Sequence, residues 1–311
     1  MREAKREAKR EAEREEGTAM KTFETSDPIT VDVELSAGDL AFDASDRADI
    51  TVEVRPSDPA KKGDVAAAEQ TLVDFANGQL VIRTPKSGWK QWVSWRGESV
   101  DVRVGLPTGS RVRVYTGAGT VRSTGRLEDF RLKTGAGSIH LGEVGALELK
   151  TGAGDVSVDR VTGKAEATSG SGSMRFARID GPAAVKNSNG DTWIGDVTGE
   201  ARVSAANGTI TIERARAGVV AKTARGDVHL GDVAHGAVVA QSAFGRLDVG
   251  VREGSAVWLD LDTKFGSVEN ELDASASPGP NDDVVEVHAH TSYGDIAVHR
   301  ARATTNGKEA S

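Results

Sequence analysis

The sequence predicts an all-β protein: a single-chain parallel β-solenoid, or β-helix, of about ten rungs with a period near 18 residues and an irregular β cap on its N-terminal side. Three observations carry this. Nearly the same letters recur in YTGAGTV (Tyr115–Val121), KTGAGSI (Lys133–Ile139) and KTGAGDV (Lys150–Val156). With the second glycine of each as an anchor, glycines stand at 119, 137, 154, 172, 190, 208, 226, 245, 266 and 294, a spacing near 18 that widens to 21 and 28 at the end. Composition agrees, since 36 Gly, 8 Pro and 5% aromatic residues suit short strands, tight turns and thin layers. Self-similarity at such a period marks stacked coils.

The elements follow in order. Residues 1–19 (MREAKREAKREAEREEGTA) read as a solvated helical tail, or an expression-derived or mis-started extension with no role in the fold. Glu3–Arg6, Glu7–Arg10 and Glu11–Arg14 are i,i+3 pairs, and the only apolar stripe is alanine. Residues 20–110 form the cap, because a solenoid end exposes an unpaired strand edge. Strands are expected at Ile29–Leu35, Gly38–Phe42, Asp49–Arg55, Gln79–Arg83 and Val100–Leu106, with Gly38 and Gly78 as irregular early anchors. A short helix is expected over AAAEQTLVDFA (Ala66–Ala76).

Residues 111–301 are the coil. Apolar side chains fill the columns seven and five residues before each anchor and two and four after it, with polar residues between. Val112, Leu132, Val156, Met174 and Ile210 are examples, and Leu259, Leu261 and Val268 continue the same columns. Alternation on both sides of a glycine turn is a strand–turn–strand unit, and one such rung cannot bury its core without neighbours. Three residues before the anchors, Thr116, Thr134, Thr151, Ser169, Asn187, Thr223, Ser242, Thr263 and Thr291 suggest a ladder that satisfies turn backbone groups. Just after the anchors, Asp155, Asp191 and Asp227 alternate with Ser or Thr, which keeps like charges two rungs apart. Ser275–Asp283 is a polar loop before the last two strands, and residues 302–311 are expected to form a disordered tail.

The repeated Gly-x-Gly is not a nucleotide loop. No helical pattern follows any copy, and Arg122, His140 and Ser157 stand where the third glycine is needed. With no cysteine, disulfides, thiolate zinc sites and Cys nucleophiles are excluded. The net charge of −8 argues against nucleic acid as the main partner. No apolar run approaches the roughly 20 residues that a membrane helix needs, so a cytoplasmic location is expected.

Two features are candidate interaction surfaces. SGWKQWVSWRG places Trp89, Trp92 and Trp95 within seven residues, either plugging the cap or exposed as an aromatic patch. Lys133, Lys150, Lys186 and Lys222 recur at one outward position, either as a solvated face or as a strip for acidic groups. His288 and His290 share a strand face, as do Asp260 and Asp262, but neither pair alone makes a metal or glycosidase site. LPTG at Leu106–Gly109 reads as a turn. No catalytic, cofactor-binding or metal-ligating residue is assigned.

VDVELSAGDLAF near the start, SVDVRVGLPTGSRVRVYTGAGTV entering the coil and the repeated G-[DS]-[VI] rungs together resemble the bacterial "putative adhesin" family of β-strand-repeat proteins of unknown function, also called toastrack domains. The resemblance spans Lys21–Ala301. It implies a non-catalytic solenoid associated with envelope-stress systems or cell surfaces, and it carries over no catalytic residues. The expected function is a scaffold that presents a flat β face to a protein partner, with self-association through its ends or faces. The alternatives are a carbohydrate- or envelope-polymer-binding module using the Trp segment, and a polysaccharide-acting β-helix enzyme.

Overall fold

β-branched and small side chains alternating with polar ones fit a pleated, half-buried surface, and strands dominate the chain for that reason. The computed structural model describes residues 19–25, 27–85, 98–272 and 284–301. The chain divides into two compact units, Met1–Asp159 and Arg160–Ser311. The division falls within β11 (Val156–Val161).

The N-terminal unit contains β1 (Ala19–Glu24), β2 (Thr30–Ala37), β3 (Leu40–Ser45), β4 (Asp49–Pro56), α1 (Lys62–Gln70), β5 (Leu72–Ala76), β6 (Gln79–Arg83), β7 (Val100–Pro107), β8 (Arg111–Ala118), β9 (Val121–Ala136) and β10 (Ile139–Ala153). β2, Gly38 and β3 make a regular rung: Val31 pairs with Val112 and Leu40 with Val121, both in parallel. On the other side of this rung lie β6 and β7, with Val31 beside Leu80 and Leu40 beside Val102. Rung order therefore departs from chain order. Beyond β6 and β7 the pairing turns antiparallel, β5 on β6 and β4 on β7 with β1 outside β4, so parallel edges give way to hairpin-like ones.

Three expectations about the cap change. Gly38 is a regular anchor. Gly78 is not one: with Asn77 at φ 52° and Gly78 at φ 73°, it makes the tight hairpin turn between β5 and β6. LVDFA is a strand rather than helix, because α1 stops before Thr71, whose hydroxyl donates to the Ala67 carbonyl at 2.7 Å. Val73 is then buried by alternation. Ala19, placed in the tail on sequence grounds, begins β1, while residues 1–18, 273–283 and 302–311 lie outside the described residues.

The C-terminal unit contains β12 (Ala165–Ser171), β13 (Met174–Ile179), β14 (Ala183–Asn189), β15 (Thr192–Val197), β16 (Ala201–Asn207), β17 (Ile210–Ala215), β18 (Val219–Arg225), β19 (Val228–Val233), β20 (Gly236–Phe244), β21 (Leu247–Val251), β22 (Ala256–Phe265), β23 (Val268–Asn270), β24 (Val284–Tyr293) and β25 (Ile296–Arg300). Each turn of the coil supplies one strand to each of two parallel ladders. Register holds along the first ladder, where Val185 stands beside Val203, then Ala221, then Ala240, and shifts in the second between Leu230 and Val233 where β19 meets β21. Inward columns are closed, with Met174 1% and Ile210 0% exposed here and Val156 2% exposed in the N-terminal unit.

The last rungs do not stack in chain order. β24 pairs with β20 on one side and β22 on the other, and β25 lies likewise between β21 and β23. The rung made last is inserted inward, and β22 with β23 becomes outermost. Val287, Ala289 and Ile296 are buried accordingly. Leu259, Leu261 and Val268, expected to be inward by column, are partly or fully exposed because no rung covers them among the described residues.

The anchor glycines Gly172, Gly190, Gly208, Gly226, Gly245 and Gly294 have φ between 118° and 159°, a region that L side chains avoid. At Gly208 a methyl group would also overlap the carbonyl oxygen of Gly190. The ladder of short polar side chains is present: Thr223 donates to the Gly208 carbonyl at 3.2 Å, Ser242 to Gly226 at 3.0 Å and Thr291 to Gly245 at 3.1 Å.

Candidate functional site

Parallel in-register stacking lays each outward position beside its equivalents in the neighbouring rungs, so a surface here is a set of columns. Trp89, Trp92 and Trp95 fall between β6 and β7 and lie outside the described residues. The four lysines are all exposed. In the N-terminal unit Lys133 pairs with Tyr115 on one side and Lys150 on the other. Carboxylates interleave them: Lys150 Nζ lies 2.8 Å from Glu148, Arg131 4.0 Å from Glu148 and Arg113 3.6 Å from Asp32. In the C-terminal unit Lys186 and Lys222 stand two rungs apart with Ser204 between them. The lysines of the N-terminal unit thus lie among carboxylates on a mixed-charge face, and those of the C-terminal unit flank a neutral serine.

The C-terminal unit carries a different surface, one that sequence reasoning missed. The residue before the anchor is aromatic in its last three rungs, and the rings of Phe244, Tyr293 and Phe265 stack in that spatial order. Centroids are 4.9 and 4.7 Å apart and the planes are 3° and 9° from parallel, so each inner ring face is covered by its neighbour. The rings are nevertheless 50%, 48% and 62% exposed. The signal was present in the letters AFG, KFG and SYG, but the column before the anchor was not read. On the same outermost rung Trp258 and Val268 are also exposed. The outer edges of β22 and β23 have no pairing strand among the described residues.

Charge next to this rung is tightly organised. Asp295, just after its anchor, accepts hydrogen bonds from the Ser267 N–H and hydroxyl, both at 2.8 Å. These bonds, helped by Arg246, hold its carboxyl below the usual carboxylate range. A groove of about 620 Å³ in the same unit is lined by Asp227, His229, Arg246, Asp248 and His299 among others. Within it the two oxygens of Asp248 face separate imidazoles, Oδ2 to His229 Nδ1 at 2.6 Å and Oδ1 to His299 Nε2 at 3.3 Å. His299 Nδ1 is taken by the Arg300 carbonyl at 2.7 Å.

A family model described as Toastrack DUF4097 matches residues 24–298. Comparison with curated proteins gives no match. Among solved structures the chain is similar to a "putative adhesin" from Bacteroides fragilis, with 11% identity over 90% of this chain and 96% of that one and a TM-score of 0.34. It is also similar to a "putative adhesin" from Parabacteroides distasonis, with 11% identity, coverage of 90% and 96%, and a TM-score of 0.37. A "putative lipid binding protein" from the same species gives 14% identity, coverage of 92% and 97%, and a TM-score of 0.34. Likenesses this distant do not bear on function. Among the described residues no helix is long and apolar enough to cross a membrane.

Proposed function

The chain belongs to the Toastrack DUF4097 family, and from that premise we propose that it is a non-catalytic β-solenoid interaction module whose C-terminal unit binds a protein partner at its outermost rung. One observation supports this reading above the others: a parallel edge with no pairing strand among the described residues lies beside a column of three exposed, stacked aromatic rings. An edge strand offers a row of backbone donors and acceptors, and a partner strand can take them up while its side chains pack on Phe265, Val268 and Trp258. Carbohydrate recognition is less well served. Sugars stack on open ring faces, and in this column the inner faces cover one another, leaving only the outer faces of the two end rings, Phe244 and Phe265.

The adhesin-like role, and a link to the bacterial envelope, would then rest on which protein docks. Photo-crosslinking in cells from position 269 on β23, with the outward Phe265→Arg variant alongside, tests this. A defined protein adduct that disappears in the variant is the expected result, and a second copy of the chain would count as that protein. Adducts unchanged by Phe265→Arg, or purified chain that binds glycans through Phe265 and traps no protein, would overturn the proposal.

A further inference from the structure

A second feature of the outermost rungs is independent of partner docking. β22 and β24 are parallel and in register, so Asp260 stands beside His288 and Asp262 beside His290. All four lie six or four residues before an anchor glycine, at positions where side chains point away from the core. Two same-face histidines and two same-face aspartates, unremarkable on separate strands, become one patch.

The Oδ2 atom of Asp260 lies 3.2 Å from His288 Nδ1 and 3.6 Å from His290 Nε2, and the three atoms are within 4.8 Å of one another. A tetrahedral ion bound at about 2.0–2.2 Å by nitrogen and oxygen ligands has ligand-to-ligand edges of roughly 3.3–3.5 Å. Two of the three edges are already near that length. The third, between the two imidazoles, is no longer than 4.8 Å, within reach of small side-chain rotations. The His288 ring packs on Trp258, centroids 5.2 Å apart, which restricts how it can turn. The Asp260, His288 and His290 side chains are 47%, 33% and 37% exposed, so an ion has an open path to all three.

The geometry points to a binding site for a divalent transition-metal ion, formed by Asp260, His288 and His290. We propose Zn2+ as its representative ligand, with a fourth position open to water or to Asp262. Imidazole nitrogen with a single carboxylate suits Zn2+, Cu2+ or Ni2+ better than Ca2+ or Mg2+, which prefer several oxygen ligands. The Asp248 trio in the groove has the same residue types but a different arrangement. Its carboxylate oxygens diverge to separate imidazoles, and one imidazole is held by a backbone carbonyl.

The test uses full-length, tag-free, chelator-treated protein titrated with Zn2+ in competition with a chromophoric chelator, and with Co2+ followed by visible absorption. One equivalent should bind, with the intense visible bands of four-coordinate Co2+. Asp260→Asn and His290→Gln should each weaken binding tenfold or more. His299→Gln should leave it unchanged, with circular dichroism showing each variant folded. Loss of binding in His299→Gln, equal binding in all variants, or only weak binding of several equivalents would overturn the assignment. Retention of the Co2+ bands in the doubly substituted Asp260→Asn/His290→Gln chain would do the same.

Discussion

Thr192 occupies the first inward position after its anchor, where the neighbouring rungs place Met174 and Ile210. It is 1% exposed, and its hydroxyl finds no hydrogen-bond partner among the described residues. A buried hydroxyl without a partner is destabilising, and valine has the same shape without that group. Thr192→Val should therefore raise the unfolding free energy by about 1 kcal/mol, read as a shift in the urea midpoint at unchanged slope. A lower midpoint would mean that the hydroxyl is engaged after all. Most residue roles of this kind were legible in the letters because each rung repeats its neighbour. The corner ladder was read as a set of turn-satisfying groups, and Thr223 and Ser242 behave that way. The metal-ligand patch was legible too, since aligning Asp260 with His288 needed only the anchor count. Reading the two strands separately hid it.

At the scale of strands and turns, arginine–aspartate pairs recur every two rungs, the first with its polarity reversed relative to the other two. Arg160 meets Asp180, Asp196 meets Arg216 and Asp232 meets Arg252, each pair 20 residues apart. Successive pairs advance by 36 residues, which is two turns of the coil. In-register stacking could set identical charges side by side in adjacent rungs, and the column Arg178, Asp196, Arg214, Asp232 avoids that repulsion by alternating in sign. The Asp column after the anchors follows the same rule and adds a hydrogen bond: Asp191 accepts the Thr209 N–H at 2.8 Å and Asp227 the Arg246 N–H at 2.7 Å. In chain order this column ends Asp227, Arg246, Ser267, Asp295, and in stacking order it ends Asp227, Arg246, Asp295, Ser267, so strict alternation returns. That restored pattern was the one sequence clue to the inserted rung.

Asp180 is the most strongly clamped carboxylate of the corner pairs. The hydrogen bond from Arg178, at 2.6 Å, and then that from Arg160, at 2.8 Å, outweigh the opposing effect of burial and hold its carboxyl below the ordinary range. A depressed folded-state value means that the stabilisation is present above the unfolded value near pH 4 and is lost as pH falls through the folded one. Asp180→Asn should cost up to about 1 kcal/mol at pH 7, given the exposure of both arginines. The gap between variant and parent should shrink as pH is lowered from the unfolded value through the depressed folded-state one. Denaturation series at several pH values check this, and a gap that widens on acidification would contradict it.

At the scale of the C-terminal unit, the insertion of β24 and β25 changes what their loss would do. A strand at the end of a stack can be removed with little harm to the rest. These two strands instead cover Val238, Ala240, Leu247 and Val249 on one side and are the only described partners of β22 and β23 on the other. Ending the chain at Leu272 should lower stability by at least about 5 kcal/mol and expose a surface that binds a hydrophobic dye, while ending it at Ala301 should change neither. Little effect at Leu272 would show that β22 and β23 can re-pair with β20 and β21. The solenoid itself was legible from the 18-residue period, because each rung satisfies its own local rules. Stacking order was not, since spacing along a chain does not say which edge a rung joins, and the lengthening to 21 and 28 residues marks the last rungs as irregular without placing them. The N-terminal cap was partly legible: Gln79–Arg83 was placed correctly, and the Asn77–Gly78 turn that makes LVDFA a strand was passed over.

The inward threading of β24 and β25 also sets an order of events during synthesis. A ribosome makes the segment 256–272 before the rung it must lie outside, so the nascent chain has to keep that segment unattached, or release it again, until residues up to Arg300 have left the exit tunnel. Growth of this unit by simple addition of one coil upon the last therefore stops at Val251 and resumes only when β24 and β25 are available to slip in beneath the waiting segment.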